Sequence, residues 1–144
     1  MKKYQYTIEI NAPKKKVWQI MLSPQGYQEW TKPFSEGSYF DGSWQKGEKI
    51  KFLLPNGQGT VAEIAENEPY EFVSINHLGT VKEGVEDMES PESKAWAQSK
   101  ENYSLSEKNG VTKVKIDIET PLNYVDWMEN VWHEALAKLK SICE

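Results

Sequence analysis

Residues 123–144 constrain the fold more than any other stretch, because apolar side chains recur there at helical spacing after a chain that otherwise reads mostly as strand. Val125, Met128, Trp132, Ala135, Leu136, Leu139 and Ile142 follow the i, i+3, i+4, i+7 rule of one helix face, whereas Glu129, His133 and Lys140 fall off it. A long helix with so wide an apolar stripe has to bury it, and the strands before it make a sheet the partner surface. Trp127 and Val131 flank the stripe and are expected to meet the sheet edge or other helices.

At 144 residues the chain fits one domain, 1–144. A domain of that size buries roughly 70% of the surface its unfolded form exposes, so neither disulfide nor metal is needed for stability. Seventeen basic against 22 acidic residues leave a formal charge of −5, which argues against a nucleic-acid partner. The run Lys14-Lys15-Lys16 reads as a solvated helix face. Cys143 is the only cysteine, so intramolecular disulfides and zinc-thiolate clusters are excluded, and its place beside the C-terminus suggests a frayed end. No apolar run approaches the roughly 18 residues of a membrane span, and Met1-Lys2-Lys3 leads into alternating residues without the apolar core of a signal peptide. The expected location is the cytoplasm.

Tyr4, Tyr6, Ile8 and Ile10 alternate with Lys3, Gln5, Thr7 and Glu9, the period of a strand with one buried face. Asn11-Ala12-Pro13 ends that strand and places proline at the first helical position, with Val17, Trp18, Ile20 and Met21 as the apolar side. Ser23-Pro24 repeats the signal for a second short helix to about Trp30, with Tyr27 and Trp30 on neighbouring turns. Glycine and proline turns then separate candidate strands at 37–40, 48–54, 59–66, 71–77, 101–106 and 112–119. Pro121 stops the sheet, and Asn123 with Asp126 forms a loose capping pair for the last helix. Residues 79–99 read as a long acidic loop. The fold class is α+β, in the order β-α-α-β(6)-α, with a curved antiparallel sheet wrapped around the long C-terminal helix.

The residues 8–13, Ile-Glu-Ile-Asn-Ala-Pro, followed by Val17-Trp18, Ser23-Pro24 and Trp30, resemble the opening of the START-like (SRPBCC, helix-grip) superfamily. The likeness is nearest to its branch of homologues of the heat-shock-protein ATPase activator. The glycine-led strand from Gly59 to Ile64, the segment Pro69-Tyr70-Glu71-Phe72-Val73-Ser74 and the closing Trp132-His133-Glu134-Ala135-Leu136-Ala137-Lys138-Leu139 resemble the same branch. The resemblance implies a mostly apolar cavity between last helix and sheet, a small hydrophobic molecule as partner, and, from the branch name, a possible chaperone partner. Superfamily members bind lipids, sterols, polyketides or hormones, and some are cyclases or hydrolases. The acidic segment 79–99 is longer than the connection usual in this branch.

Standard catalytic constellations are missing from the sequence. His133-Glu134 opens like a zinc-protease helix, but Ala137 stands where the second histidine is required. Gly57-Gln58-Gly59-Thr60-Val61-Ala62 loosely matches a dinucleotide fingerprint, yet a β-branched run follows it instead of a phosphate-binding helix. No Gly-x-Ser-x-Gly elbow occurs. The expectation is therefore a binding protein without cofactor, metal or assigned catalytic residue. An enzyme of cyclase or hydrolase type would have to use His77, Tyr103 or Glu63 as acid or base.

The candidate ligand-binding residues are Phe52, Glu63, Ile75, His77, Trp96, Tyr103, Met128 and Trp132. Val73, Ile75 and His77 share one face of their strand, and Phe72, Ser74 and Asn76 the other; a one-residue register change exchanges the sets, so the choice stays open. His77 either meets a ligand at the cavity mouth or bonds a loop carbonyl. Tyr103 shares parity with Leu105 and could present its hydroxyl to the cavity. Glu63 interrupts the side of its strand carrying Val61 and Ala65, and is either solvent-facing or a paired polar anchor. Trp96, alone among polar neighbours, either closes the opening as a lid or packs locally. Met128 and Trp132 lie where core and cavity wall coincide. Ligand identity and oligomeric state are not encoded legibly.

Overall fold

The computed structural model describes residues 2–120 and 125–144. Its elements are β1 (Lys2–Ile10), α1 (Lys14–Leu22), α2 (Pro24–Trp30), β2 (Tyr39–Gly42), β3 (Lys49–Leu53), β4 (Gly59–Glu68), β5 (Phe72–Lys82), β6 (Val85–Asp87), α3 (Pro91–Trp96), β7 (Lys100–Lys108), β8 (Val111–Thr120) and α4 (Val125–Cys143). The strands run β1-β8-β7-β5-β4-β3-β2 in one antiparallel sheet, with β6 added beside β5. The α+β class and the sheet around α4 agree with the sequence reading. Pro121, Asn123 and the capping pair proposed there lie outside the described residues.

The two short helices start for local reasons. Ser23 Oγ accepts from Gly26 N at 3.0 Å, and Pro24 occupies a position where no helical N–H is needed. Pro13 is the residue before α1 rather than its first turn, and the Glu107 carboxylate accepts from Lys14 N at 2.8 Å in place of a side-chain cap. Gly26 lets the two helices meet closely, since a Cβ there would lie 1.7 Å from the Ile20 carbonyl oxygen.

Two register shifts curl the sheet. Leu78 is an extra residue on β5 between the pairs Val61–Gly79 and Ala62–His77, and Ala65 is an extra residue on β4 between Ile64–Ile75 and Glu66–Ser74. Bulges of this kind bend the strand and increase its twist, which lets a sheet close around a helix. Inside the curl, α4 buries Met128, Trp132, Ala135, Leu136 and Leu139 in one cluster with Tyr6, Ile10, Val114 and Ile116. Tyr6 stacks on Trp132 with ring centroids 5.9 Å apart.

Three expectations are corrected. Residues 79–99 are not a plain loop: β5 continues to Lys82, and β6 and α3 follow. Positive φ at Glu83 and Gly84 makes the turn between β5 and β6, and Ser90 caps α3 by accepting from Ser93 N at 3.2 Å. The α4 stripe ends at Cys143, which is fully buried, while Ile142 is 36% exposed. Helical spacing from Leu139 explains this, because i+4 continues the inner row and i+3 has rotated outward. The C-terminal end is also anchored rather than frayed: Lys140 Nζ donates to Glu9 O at 3.0 Å, and Asn11 N donates to Glu144 Oε2 at 2.8 Å.

Candidate functional site

Alternation along β5 places Val73 and Ile75 in the core under α4 and points His77 the same way, leaving Phe72 and Asn76 less buried on the opposite side. On β4 the inward residues are Ala62 and Ile64. Val61 belongs to a separate small cluster with Leu53 and Val81, so Glu63, sharing its parity, faces solvent. Glu63 stands in register between Lys49 and Asn76 and takes no part in the pocket described next. The sequence reading counted Val61 and Ala65 as the apolar side and left Glu63 either solvent-facing or a paired anchor; the inner row is instead the even-numbered one, and Glu63 takes the solvent-facing place.

The inner surface leaves a pocket of about 380 Å³. Its floor is Phe52 of β3, Thr60 of β4, His77 of β5 and Tyr103 of β7. One wall is α2 and the segment after it, through Tyr27, Trp30 and Phe34, and the other is Trp132 of α4. Trp96 of α3 and the half-exposed Trp127 stand at its rim. Ile75 and Met128, also singled out from sequence, are buried in the core and do not line it. Of the eight sequence candidates, the structure thus brings Phe52, His77, Trp96, Tyr103 and Trp132 to one pocket.

Aromatic contacts run continuously around that pocket. Phe34 meets Trp132 edge-on at 4.8 Å, Trp132 lies 6.0 Å from Trp30, and Trp30 lies 5.6 Å from Tyr27. Tyr27 reaches Phe52 at 6.0 Å, Phe52 reaches His77 at 6.4 Å, and His77 reaches Trp96 at 5.6 Å. Such offset and edge-on pairs add about 0.5–1.5 kcal/mol each beyond burial, which favours a preformed pocket.

Its polar groups are oriented by the protein itself. His77 Nδ1 lies 3.0 Å from Ser99 O, and a carbonyl only accepts, so Nδ1 carries a proton and, in the singly protonated ring, Nε2 is the acceptor. Trp30 Nε1 donates to Met21 O at 2.9 Å, Thr31 Oγ1 to Tyr27 O at 2.6 Å and Ser38 Oγ to Ser35 O at 2.7 Å. The Tyr103 hydroxyl donates to the carboxylate of Glu101. Burial, and then the charge of Glu101, hold the Tyr103 phenol well above its usual range, and the same two causes act on Tyr27. Both phenols therefore stay protonated at neutral pH.

Glu101, Tyr27, Trp30 and Phe34 line the pocket without having been singled out from sequence. Glu101 was within reach of the strand argument, since it lies two residues before Tyr103 on the same face. The α2 wall was not, because a short helix carries no periodicity long enough to say which surface it covers. Among the described residues no group of three or more His, Cys, Asp or Glu could hold a metal ion, and no helix is long and apolar enough to cross a membrane.

No protein-family model matches the chain, and no curated protein matches it by sequence. Solved structures match it closely in fold. The Aha1 dimer from Colwellia psychrerythraea, determined in solution, is 21% identical with a TM-score of 0.70, over 100% of this chain and 97% of that one. Protein CV1439 from Chromobacterium violaceum is 15% identical with a TM-score of 0.69, over 100% and 99%. CalU16 from Micromonospora echinospora is 18% identical with a TM-score of 0.65, over 99% and 76%. With the sheet wrapped on α4, these likenesses show the fold class: the chain has the helix-grip arrangement that these structures share. Within that class it is similar in fold to Aha1 and to CalU16.

Proposed function

We propose that this chain acts as a single START-like domain that binds a small, largely apolar molecule between α2, Trp132 and the inner face of β3, β4, β5 and β7, in the cytoplasm and without a covalent step. The observation that carries the reading is the aromatic-lined pocket of about 380 Å³. Its volume falls in the range of ~300–1,000 Å³ common to small-molecule sites. Burying about 300 Å² of apolar ligand surface contributes roughly 7 kcal/mol at about 25 cal/mol per Å² before association entropy is subtracted, so micromolar affinity is physically reasonable. Phe52, His77, Trp96, Tyr103 and Trp132 are the contacts this reading assigns from the sequence candidates. An acid–base role for Glu63 does not fit, because that side chain faces solvent.

The test is titration with the neutral fluorophore N-phenyl-1-naphthylamine, alongside native mass spectrometry of protein from its own source. Saturable micromolar binding, weakened at least about tenfold by Thr60→Phe, supports the reading. Absence of both co-purified ligand and probe binding, or binding unaffected by Thr60→Phe in a folded variant, would overturn it. A chaperone partner has weaker support, because it rests on the resemblance to the activator branch alone.

A further inference from the structure

The pocket's polar chemistry is one-sided. Among the described lining residues there is one carboxylate, Glu101, and no lysine or arginine. Four of the lining donors are committed to the protein: Trp30 N–H to Met21 O, the Thr31 and Ser38 hydroxyls to backbone carbonyls, and the Tyr103 hydroxyl to Glu101; the Ser35 and Thr60 hydroxyls and the Trp132 indole also line the pocket. What is one-sided is the charge, because the one acidic group among the lining residues is an acceptor with no lysine or arginine beside it in the lining. Tyr103 takes one Glu101 oxygen and leaves lone pairs on the carboxylate, and His77, with Nδ1 facing Ser99 O, offers Nε2. A ligand entering here has to bring its own donors, or the carboxylate loses solvation without compensation.

Aromatic side chains line the pocket that holds this carboxylate. Tyr103, bonded to Glu101, lies 6.2 Å from the Trp30 ring, and Trp30 in turn lies 6.0 Å from Trp132. Indole and phenol faces attract a cation through their quadrupoles, most strongly when water is excluded. A single carboxylate set among such rings favours one ligand class over neutral or anionic molecules of equal size.

Resting on the ligand-binding reading above, we propose that the pocket selects an organic amine cation: a flat apolar body seated between Trp30, Trp132 and Phe52, with a protonated amine donating to Glu101. Tyr103 is the positioning residue, fixing the carboxylate through its hydroxyl. The ammonium gives the carboxylate a hydrogen bond with both partners charged, whereas its isosteric alcohol gives one in which only the carboxylate is charged.

The experiment compares three probes sharing one ring system, naphthalen-2-ylmethylammonium, naphthalen-2-ylmethanol and 2-naphthoate, by calorimetric titration at pH 7 against the intact chain, Glu101→Gln and Thr60→Phe. The proposal predicts that the ammonium binds at least about tenfold more tightly than the alcohol, with the carboxylate weakest. Glu101→Gln should abolish this preference, and a urea denaturation midpoint close to that of the intact chain shows that the variant is folded. Tyr103→Phe should lessen the preference without removing it. Equal binding of the ammonium and the alcohol, or a preference that survives Glu101→Gln, overturns the amine assignment and leaves the pocket reading intact. If none of the three probes binds, or if Thr60→Phe leaves all affinities unchanged, the pocket reading itself fails and the assignment with it.

Discussion

The inner face of α4 meets the sheet in two different ways along its length. Toward the C-terminus, Ala135, Leu136, Leu139 and Cys143 are at most 1% exposed and pack with the apolar side chains of α1, β1 and β8. Toward the N-terminus, the same helix face meets an unfilled pocket through Trp132, with Trp127 standing 52% exposed at the rim. The helix is continuous and the sheet is continuous, so the difference comes from what covers the curl. At the first end α1 lies against α4 and the strands; at the second, α2 and the segment to Ser38 form a wall set back from the sheet. One amphipathic stripe thus supplies both stability and a binding surface, and the short helices decide where one becomes the other.

The comparison is broken most severely in the packed half. Leu136→Ala should cost about 2–5 kcal/mol, the range for emptying a filled site, whereas Trp127→Ala should cost about 1 kcal/mol or less. Urea denaturation midpoints at unchanged slope measure both. Equal losses would mean that the two halves are packed alike.

Thiol chemistry reports on the same packed end. Burial, opposed by Lys16 and reinforced by Glu144, raises the Cys143 thiol from 9.0 to about 11. At pH 8 that lowers the thiolate fraction about a hundredfold, so alkylation should be slowed at least that much relative to the urea-unfolded chain. Native and unfolded rates within a few-fold would show that the terminus frays.

Gly26→Ala tests the wall of the open half. A Cβ 1.7 Å from Ile20 O forces α2 away from α1, at a cost of about 1–3 kcal/mol, and should weaken probe binding more than any equally destabilising change in the packed half. The smallest effect concerns the rim. Asp87 Oδ1 accepts from Glu89 N at 2.9 Å and Ser90 N at 3.1 Å, and hydrogen bonds led by that from the Ser90 side chain lower its pKa from 3.8 to about 2. A lowered carboxylate stabilises fully above about 3.8 and loses that contribution as pH falls through about 2. Amide exchange at Glu89 and Ser90 should quicken across that window while β8 stays protected, and Asp87→Asn should flatten the step.

The packed half was legible in the sequence, and the open half only in part. Helical spacing named Ala135, Leu136 and Leu139 there and Trp132 in the open half, and two-residue alternation named Tyr6, Ile10, Val114 and Ile116, because burial on one face leaves a periodic record. The face of β5 stayed undecided because both sets hold apolar and polar residues; the Leu78 bulge, absent from any pattern, then changes the parity beyond His77. Glu63 was left open between solvent-facing and anchoring places for a related reason, since Val61 and Ala65 mark the outer side and a register shift of β4; its exposed side chain takes the first. Glu101 was passed over because its polarity suggests solvent, although alternation from Tyr103 places it inward, where it accepts from the Tyr103 hydroxyl. Residues 79–99 looked unstructured by composition, but a tight turn and a serine cap order β6 and α3 there.

The division of α4 into a packed and an open half is tested most directly by recording NMR spectra during titration with N-phenyl-1-naphthylamine. The indole N–H signals of Trp30, Trp96 and Trp132 should shift with one common saturation curve, while the methyl signals of Leu136, Leu139 and Val17 stay in place. Shifts at Leu136 and Leu139 comparable to those at the tryptophans, or no saturable shift at Trp30 and Trp132, would contradict the account.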